Sequence, residues 1–106
     1  MKLITKEILD AFKKQGYTGN KEAKDIKIIV KFFTPDGSAS WFCYELEDDG
    51  DTLWCFANLG HDEFAELGTV SLKELQGVRG KLGLPVERDK YFGEHMLAEA
   101  INFKVR

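Results

Sequence analysis

Residues 39–59 read Ala39-Ser40-Trp41-Phe42-Cys43-Tyr44-Glu45-Leu46-Glu47-Asp48-Asp49-Gly50-Asp51-Thr52-Leu53-Trp54-Cys55-Phe56-Ala57-Asn58-Leu59. Two runs rich in aromatic and aliphatic residues flank an acidic break that contains glycine. Such runs suit pleated strands. Asp49-Gly50 is a preferred dipeptide for a two-residue type I′ turn, in which both central residues need positive φ. The stretch therefore predicts a hairpin with strands over Ala39–Glu47 and about Thr52–Leu59. A turn at that dipeptide sets Asp48 opposite Asp51, Leu46 opposite Leu53, Tyr44 opposite Cys55 and Phe42 opposite Ala57.

Upstream, residues 25–33 (Asp25-Ile26-Lys27-Ile28-Ile29-Val30-Lys31-Phe32-Phe33) predict another strand, closed by the turn residues Thr34-Pro35-Asp36-Gly37-Ser38. Pairing it with Ala39–Glu47 places Val30, Ile28 and Ile26 beside Phe42, Tyr44 and Leu46. These residues, with Leu53 and Cys55, make the expected core face. The opposite face then collects Lys27, Ile29, Lys31, Trp41, Cys43, Glu45, Trp54, Phe56 and Asn58. In this register the two cysteines point to opposite sides, which forbids a disulfide between them.

Three helices complete the expectation. Thr5 caps one that runs to about Gln15, with Glu7 at its positive end, Lys13 and Lys14 at its negative end and Gly16 as a stop. The small and polar residues from Gly16 to Lys24 read as a loop. Ser71-Leu72-Lys73-Glu74 has capping-box spacing, so a short helix begins at Leu72 after a strand over Glu66–Val70. A last helix starts near Glu94, and Leu84–Asp89 reads as an extended connector or edge strand. The fold class is α+β: an antiparallel β-meander of three or four strands with N-terminal, short middle and C-terminal helices packed on the sheet. Residues 1–106 form a single domain.

The chain has 106 residues, 43% hydrophobic and 31% charged, enough for one modest core without metal or disulfide. No stretch approaches a membrane span, and the N-terminal charges exclude a signal peptide, so the expected compartment is cytoplasmic with no membrane association. Cys43 and Cys55 lack zinc-finger spacing and read as buried thiols. Eighteen acidic against fifteen basic residues give a charge of −3, which disfavours nucleic acid as a partner. Lys13, Lys14, Lys21, Lys24, Lys27 and Lys31 make the first third locally basic, though a solvated lysine face is the plainer reading.

Val30–Asp36, Trp41, Glu45-Leu46, Asp51-Thr52, Asn58-Leu59-Gly60, Glu66–Leu75, Val78-Arg79-Gly80 and Leu82–Asp89 resemble, in order and spacing, the bacterial family "domain of unknown function 2958". The resemblance implies a small stand-alone protein often carried by plasmids, phages or integrative elements. It implies no catalytic residue and no cofactor.

Candidate sites follow from residue chemistry. Lys31, Trp41, Glu45, Trp54 and Phe56 share the mixed sheet face and suit a protein partner, since flat aromatics bury large area and lysine adds cation–π attraction. A terminal helix covering that face is the plainer alternative. Arg79, Glu87, Arg88 and Asp89 around the glycine-rich bend suit an anion or small ligand, against the structural reading of local pairing at a helix end. His61 with Asp62 and Glu63 is weak evidence for acid–base chemistry, and His95 has no sequence-adjacent partner. Glu47–Asp51 lacks calcium-loop spacing and reads as a polar turn, although its acids together with Asp62, Glu63 and Glu66 suggest a phosphate mimic. Walker, GxSxG, HExxH and dinucleotide motifs are absent. These features predict a non-catalytic accessory protein of bacterial mobile elements that binds a macromolecular partner, with host-defence inhibition as one role. The rival is a small-ligand-binding protein or small enzyme with an Arg/Glu pocket.

Overall fold

A computed structural model describes residues 2–106. The chain forms α1 (Lys6–Gln15), β1 (Val30–Phe33), β2 (Ser40–Leu46), β3 (Thr52–Asn58), β4 (Glu66–Ser71), α2 (Leu72–Gly77), β5 (Glu87–Arg88) and α3 (Leu97–Ile101). Short 3₁₀ turns occupy Ala23–Asp25 and Asp62–Phe64. The strands make one antiparallel sheet in the order β4-β3-β2-β1-β5. The class is the expected α+β, with five strands instead of three or four.

Local signals place α1 and α2. Thr5 Oγ1 accepts the Ile8 amide, and Gly16 closes α1 at φ 65° with its amide on the Phe12 carbonyl. Ser71 Oγ accepts the Glu74 amide as expected. The reciprocal contact differs: Asp51 Oδ1 takes the Lys73 amide and Oδ2 the Ser71 hydroxyl, so the hairpin end caps the helix in place of Glu74. The strand expected over residues 25–33 pairs with β2 as a regular strand only from Val30. Asp25 instead ends the 3₁₀ turn, and residues 26–29 run beside the approach to α3, with the Ile28 amide on the His95 carbonyl and the Leu97 amide on that of Ile26. The helix expected near Glu94 starts at Leu97.

The expected register is corrected by one residue. Leu46 faces Leu53 and Glu45 faces Trp54 as expected, but past a β-bulge between Cys43 and Glu45 the pairing slips, so that Cys43 faces Cys55, Phe42 faces Phe56 and Trp41 faces Ala57. The turn also differs from type I′. Only Gly50 has positive φ, the Gly50 amide bonds the Glu47 carbonyl, and Asp49 holds the amides of Asp51 and Thr52. This is a four-residue loop around an ordinary turn. Val30 correspondingly faces Cys43, with Lys31 opposite Phe42.

The central strands therefore bury side chains on both faces. On one, Val30, Phe32, Trp41, Cys43, Leu53 and Cys55 pack with Leu3, Phe12, Leu75 and Val86 under α1 and α2. On the other, Phe42, Tyr44 and Phe56 pack with Ile26, Ile28, Leu97 and Ala100 under α3. Cys43 and Cys55, expected on opposite sides, are directly opposed and buried as free thiols. Burial pushes the Cys43 thiol well above its ordinary range.

A bulge leaves backbone groups without ladder partners, and those groups need a donor. Gln15, the last residue of α1, supplies it. Its Nε2 donates to the Tyr44 carbonyl at 2.6 Å and to the Lys27 carbonyl at 2.9 Å, while Oε1 accepts the Lys27 amide at 2.9 Å. Gln15→Ala should lower unfolding stability by about 1 kcal/mol, chiefly the cost of stranding the part-buried Tyr44 carbonyl, since the Lys27 groups are open to water. Urea denaturation checks this. Gln15→Glu, which has no donor for either carbonyl, should not restore the loss.

Candidate functional site

The helix α1 ends at Gly16, and the following residues cross from one sheet face to the other past the tip of the β2–β3 hairpin. The space left between them is a cleft of about 1020 Å³. Phe12, Tyr17, Tyr44 and Trp54 contribute aromatic walls, joined by Leu67 of β4. Its charged lining consists of four carboxylates, Glu45, Glu47, Asp48 and Asp49, against Lys13 and Lys21.

The bulge and the hairpin fix these groups. Glu45, opposite Trp54, turns one carboxylate oxygen to the Thr18 amide at 2.9 Å and hydroxyl at 2.6 Å, tying the crossing loop to the sheet. Trp54 donates its indole N–H to Glu47 Oε2 at 2.8 Å and remains 38% exposed, so its ring is held in place while still facing water. Asp49 is engaged by the Thr52 hydroxyl and by the Thr52 and Asp51 amides, which hold its carboxyl below the usual range. Burial raises the Tyr44 phenol above its ordinary value. Tyr17 is 71% exposed. A Cβ on Gly19 would meet the Tyr17 hydroxyl at 2.2 Å, so glycine is what lets that ring lie against the loop.

The five residues expected to share a binding face are divided. Trp54 and Glu45 line the cleft. Trp41 lies on the other sheet face, 7% exposed in the α1 core, because the bulge shifts the pairing by one residue. Phe56 is buried beneath α3, its ring 6.0 Å from that of Phe103. Lys31 lies over Phe33, Phe42 and Phe92, away from both tryptophans, and donates to the Arg106 carbonyl at 2.8 Å.

Arg79, Glu87, Arg88 and Asp89 are not brought together. Arg79 donates to the carbonyls of Gln76 and Val78, at the end of α2. Arg88 donates to those of Lys2 and Leu3. Asp89 pairs with Lys31 at 3.7 Å, and Glu87 sits opposite Phe33. None of the four lines the cleft. The glycine-rich bend already holds a carboxylate: Asp36 Oδ2 accepts the amides of Leu82 and Leu84, and a Cβ on Gly80 would lie 1.5 Å from Asp36 Oδ1. An anion therefore meets occupied amides there.

His61 lies edge-on to Phe64, while Asp62 is committed to Arg106 and Asn58. His95 meets Glu99, four positions on, at 3.4 Å. Lys24 and Lys27 pair with Glu22 and Glu94, so the expected basic tract is partly neutralised.

Sequence reasoning missed Tyr17, Thr18, Leu67 and Gln15. An aromatic residue in an otherwise small and polar loop was the available signal for Tyr17. Nothing local marked Gln15.

Arg106 holds the Asp62 carboxyl at about 2, below its ordinary 3.8. A carboxyl lowered by folding stabilises the fold above its unfolded value, and that contribution is lost as pH falls from 3.8 through about 2. In Arg106→Ala, an NMR titration should find the Asp62 carboxyl moved up toward 3.8.

A family model described as "Protein of unknown function (DUF2958)" matches residues 3–102, and the chain belongs to that family. The match takes in both terminal helices. No curated protein and no solved structure matches the chain.

Proposed function

Starting from membership of this family, we propose that the protein is a non-catalytic accessory factor that binds a partner protein, taking a cationic segment of it into the cleft beside Trp54. One observation carries the reading: an indole is held by Glu47, left open to water and surrounded by carboxylates. An aromatic ring already fixed in position loses little entropy on binding and buries a large area, which makes tryptophan a frequent anchor of interfaces. The carboxylates set the sign of the partner. A lysine or arginine over the ring gains cation–π attraction and a charge-assisted bond, whereas an acidic or phosphate-bearing segment is repelled. Glu45 is held by Thr18 and shapes the wall; Glu47 and Asp48 meet the ligand.

The family resemblance supports bacterial mobile elements as the setting, and blunting a host defence is a role that a small accessory binder fills there. The rival small-ligand reading has less support, since Arg79 and Arg88 both donate to backbone carbonyls.

The test is affinity capture from bacterial lysate on four immobilised proteins: the wild type, Trp54→Ala, Asp48→Lys with Asp49→Lys, and Tyr91→Ala as a remote exposed control. A species held by the wild type and Tyr91→Ala should be lost from both cleft variants. Measured with that species purified, Trp54→Ala should weaken affinity about thirtyfold, equivalent to about 2 kcal/mol. Capture indifferent to both cleft changes contradicts the reading.

A further inference from the structure

β4 forms one edge of the sheet, and its hydrogen-bond phase can be deduced. The Leu72 amide bonds the Asp51 carbonyl just beyond the strand, and the ladder pairs Thr52 with Ser71 through Ala57 with Glu66. Antiparallel pairs alternate between bonded and non-bonded. Val70, Gly68 and Glu66 therefore turn their backbone groups toward β3, while Leu67 and Thr69 turn theirs outward. The Glu47 amide on the Thr52 carbonyl gives β3 the complementary phase toward β2, so the two ladders agree. Among the described residues, no loop or helix backbone bonds to Leu67 or Thr69. The opposite edge, β5, has only two residues.

Both outward residues are exposed, and their side chains lie on the Trp54 side of the sheet: Thr69 is opposite Trp54, and Leu67, 51% exposed, is part of the cleft lining. An open backbone edge and an aromatic cleft thus adjoin. Acids stand at both ends of the edge, Asp48 at the hairpin tip and Glu63 and Glu66 where β4 begins.

From this placement we infer that the partner's segment binds extended, as a sixth strand on β4, and is rich in lysine or arginine. This inference rests on the proposed function and specifies its mode of recognition. Backbone bonds to Leu67 and Thr69 supply sequence-independent affinity, and alternate side chains reach the cleft to supply selectivity. Charge identifies the occupant. A second copy of this chain, paired antiparallel on the same edge, would set Glu63 and Glu66 of one copy toward the acidic hairpin tip of the other, and opposed like charges destabilise a pairing. A basic strand meets complementary charge at both ends.

The probe is an alternating lysine–valine hexapeptide, with its glutamate–valine counterpart as control, added to the full chain and followed by NMR amide exchange. Exchange at Leu67 and Thr69 should slow about tenfold with the lysine peptide, with the Trp54 indole resonance shifted, and stay unchanged with the glutamate peptide. Thr69→Pro, which removes an outward donor and no bond to β3, should weaken peptide binding about tenfold. A shift at Trp54 without protection at Leu67 and Thr69 overturns strand addition and leaves the cleft reading standing. No response to the lysine peptide at either place overturns both. Protection that rises with protein concentration alone assigns the edge to a second copy and overturns the basic-segment inference.

Discussion

One extra residue in β2 governs the rest of the structure. Where Tyr44 and Glu45 oppose the single residue Trp54, the side chains on either side of the bulge are rephased by one position. An unsupported bulge would leave a carbonyl stranded near the core. Gln15 prevents this by acting as a surrogate strand, donating to Tyr44 and exchanging bonds with Lys27 on the other side. The end of α1 is thereby locked to the sheet at the point where pairing fails.

The two tryptophans owe their different environments to that irregularity. Trp41, before the bulge, belongs to the α1 core, and Trp54, opposite it, is left at the rim of a cleft. The same shift opposes Cys43 and Cys55 across the strands. Rephasing also lets the central strands bury side chains on both faces, so that Phe32 is covered on one side and Phe42 and Phe56 on the other while an indole stays exposed. Glu45, the charged member of the bulge, fastens the crossing loop through Thr18 and so gives the cleft its second wall.

Features encoded within a few residues were legible in the sequence. Thr5 to Gly16, the strand before Ser71 and the start at Leu72 are set by caps and local pattern, and all appear where expected. The register was not legible. Residues 41–44, Trp-Phe-Cys-Tyr, are buried on both faces without a polar break, so alternation carries no phase there. Asp49-Gly50 suggested a tighter turn than forms, since Asp49 instead folds its carboxylate onto Thr52. Of the expected binding residues, Trp54 and Glu45 reach the cleft because they sit at the bulge itself. Trp41 does not, because it lies beyond the slip. The partners Gln15 and Thr18 act across 29 and 27 positions, a separation at which no local pattern helps.

The arrangement of both sheet faces therefore turns on which residue of β2 faces Cys55. By the phase of the ladders, Cys43 and Cys55 form a non-hydrogen-bonded pair, the geometry in which opposed Cα atoms approach most closely. A cross-strand Hα–Hα nuclear Overhauser measurement decides it. A strong contact between Cys43 and Cys55 is expected, whereas a strong contact between Tyr44 and Cys55 would mean an unbulged strand, with Trp41 and Trp54 sharing one face and no slip for Gln15 to support.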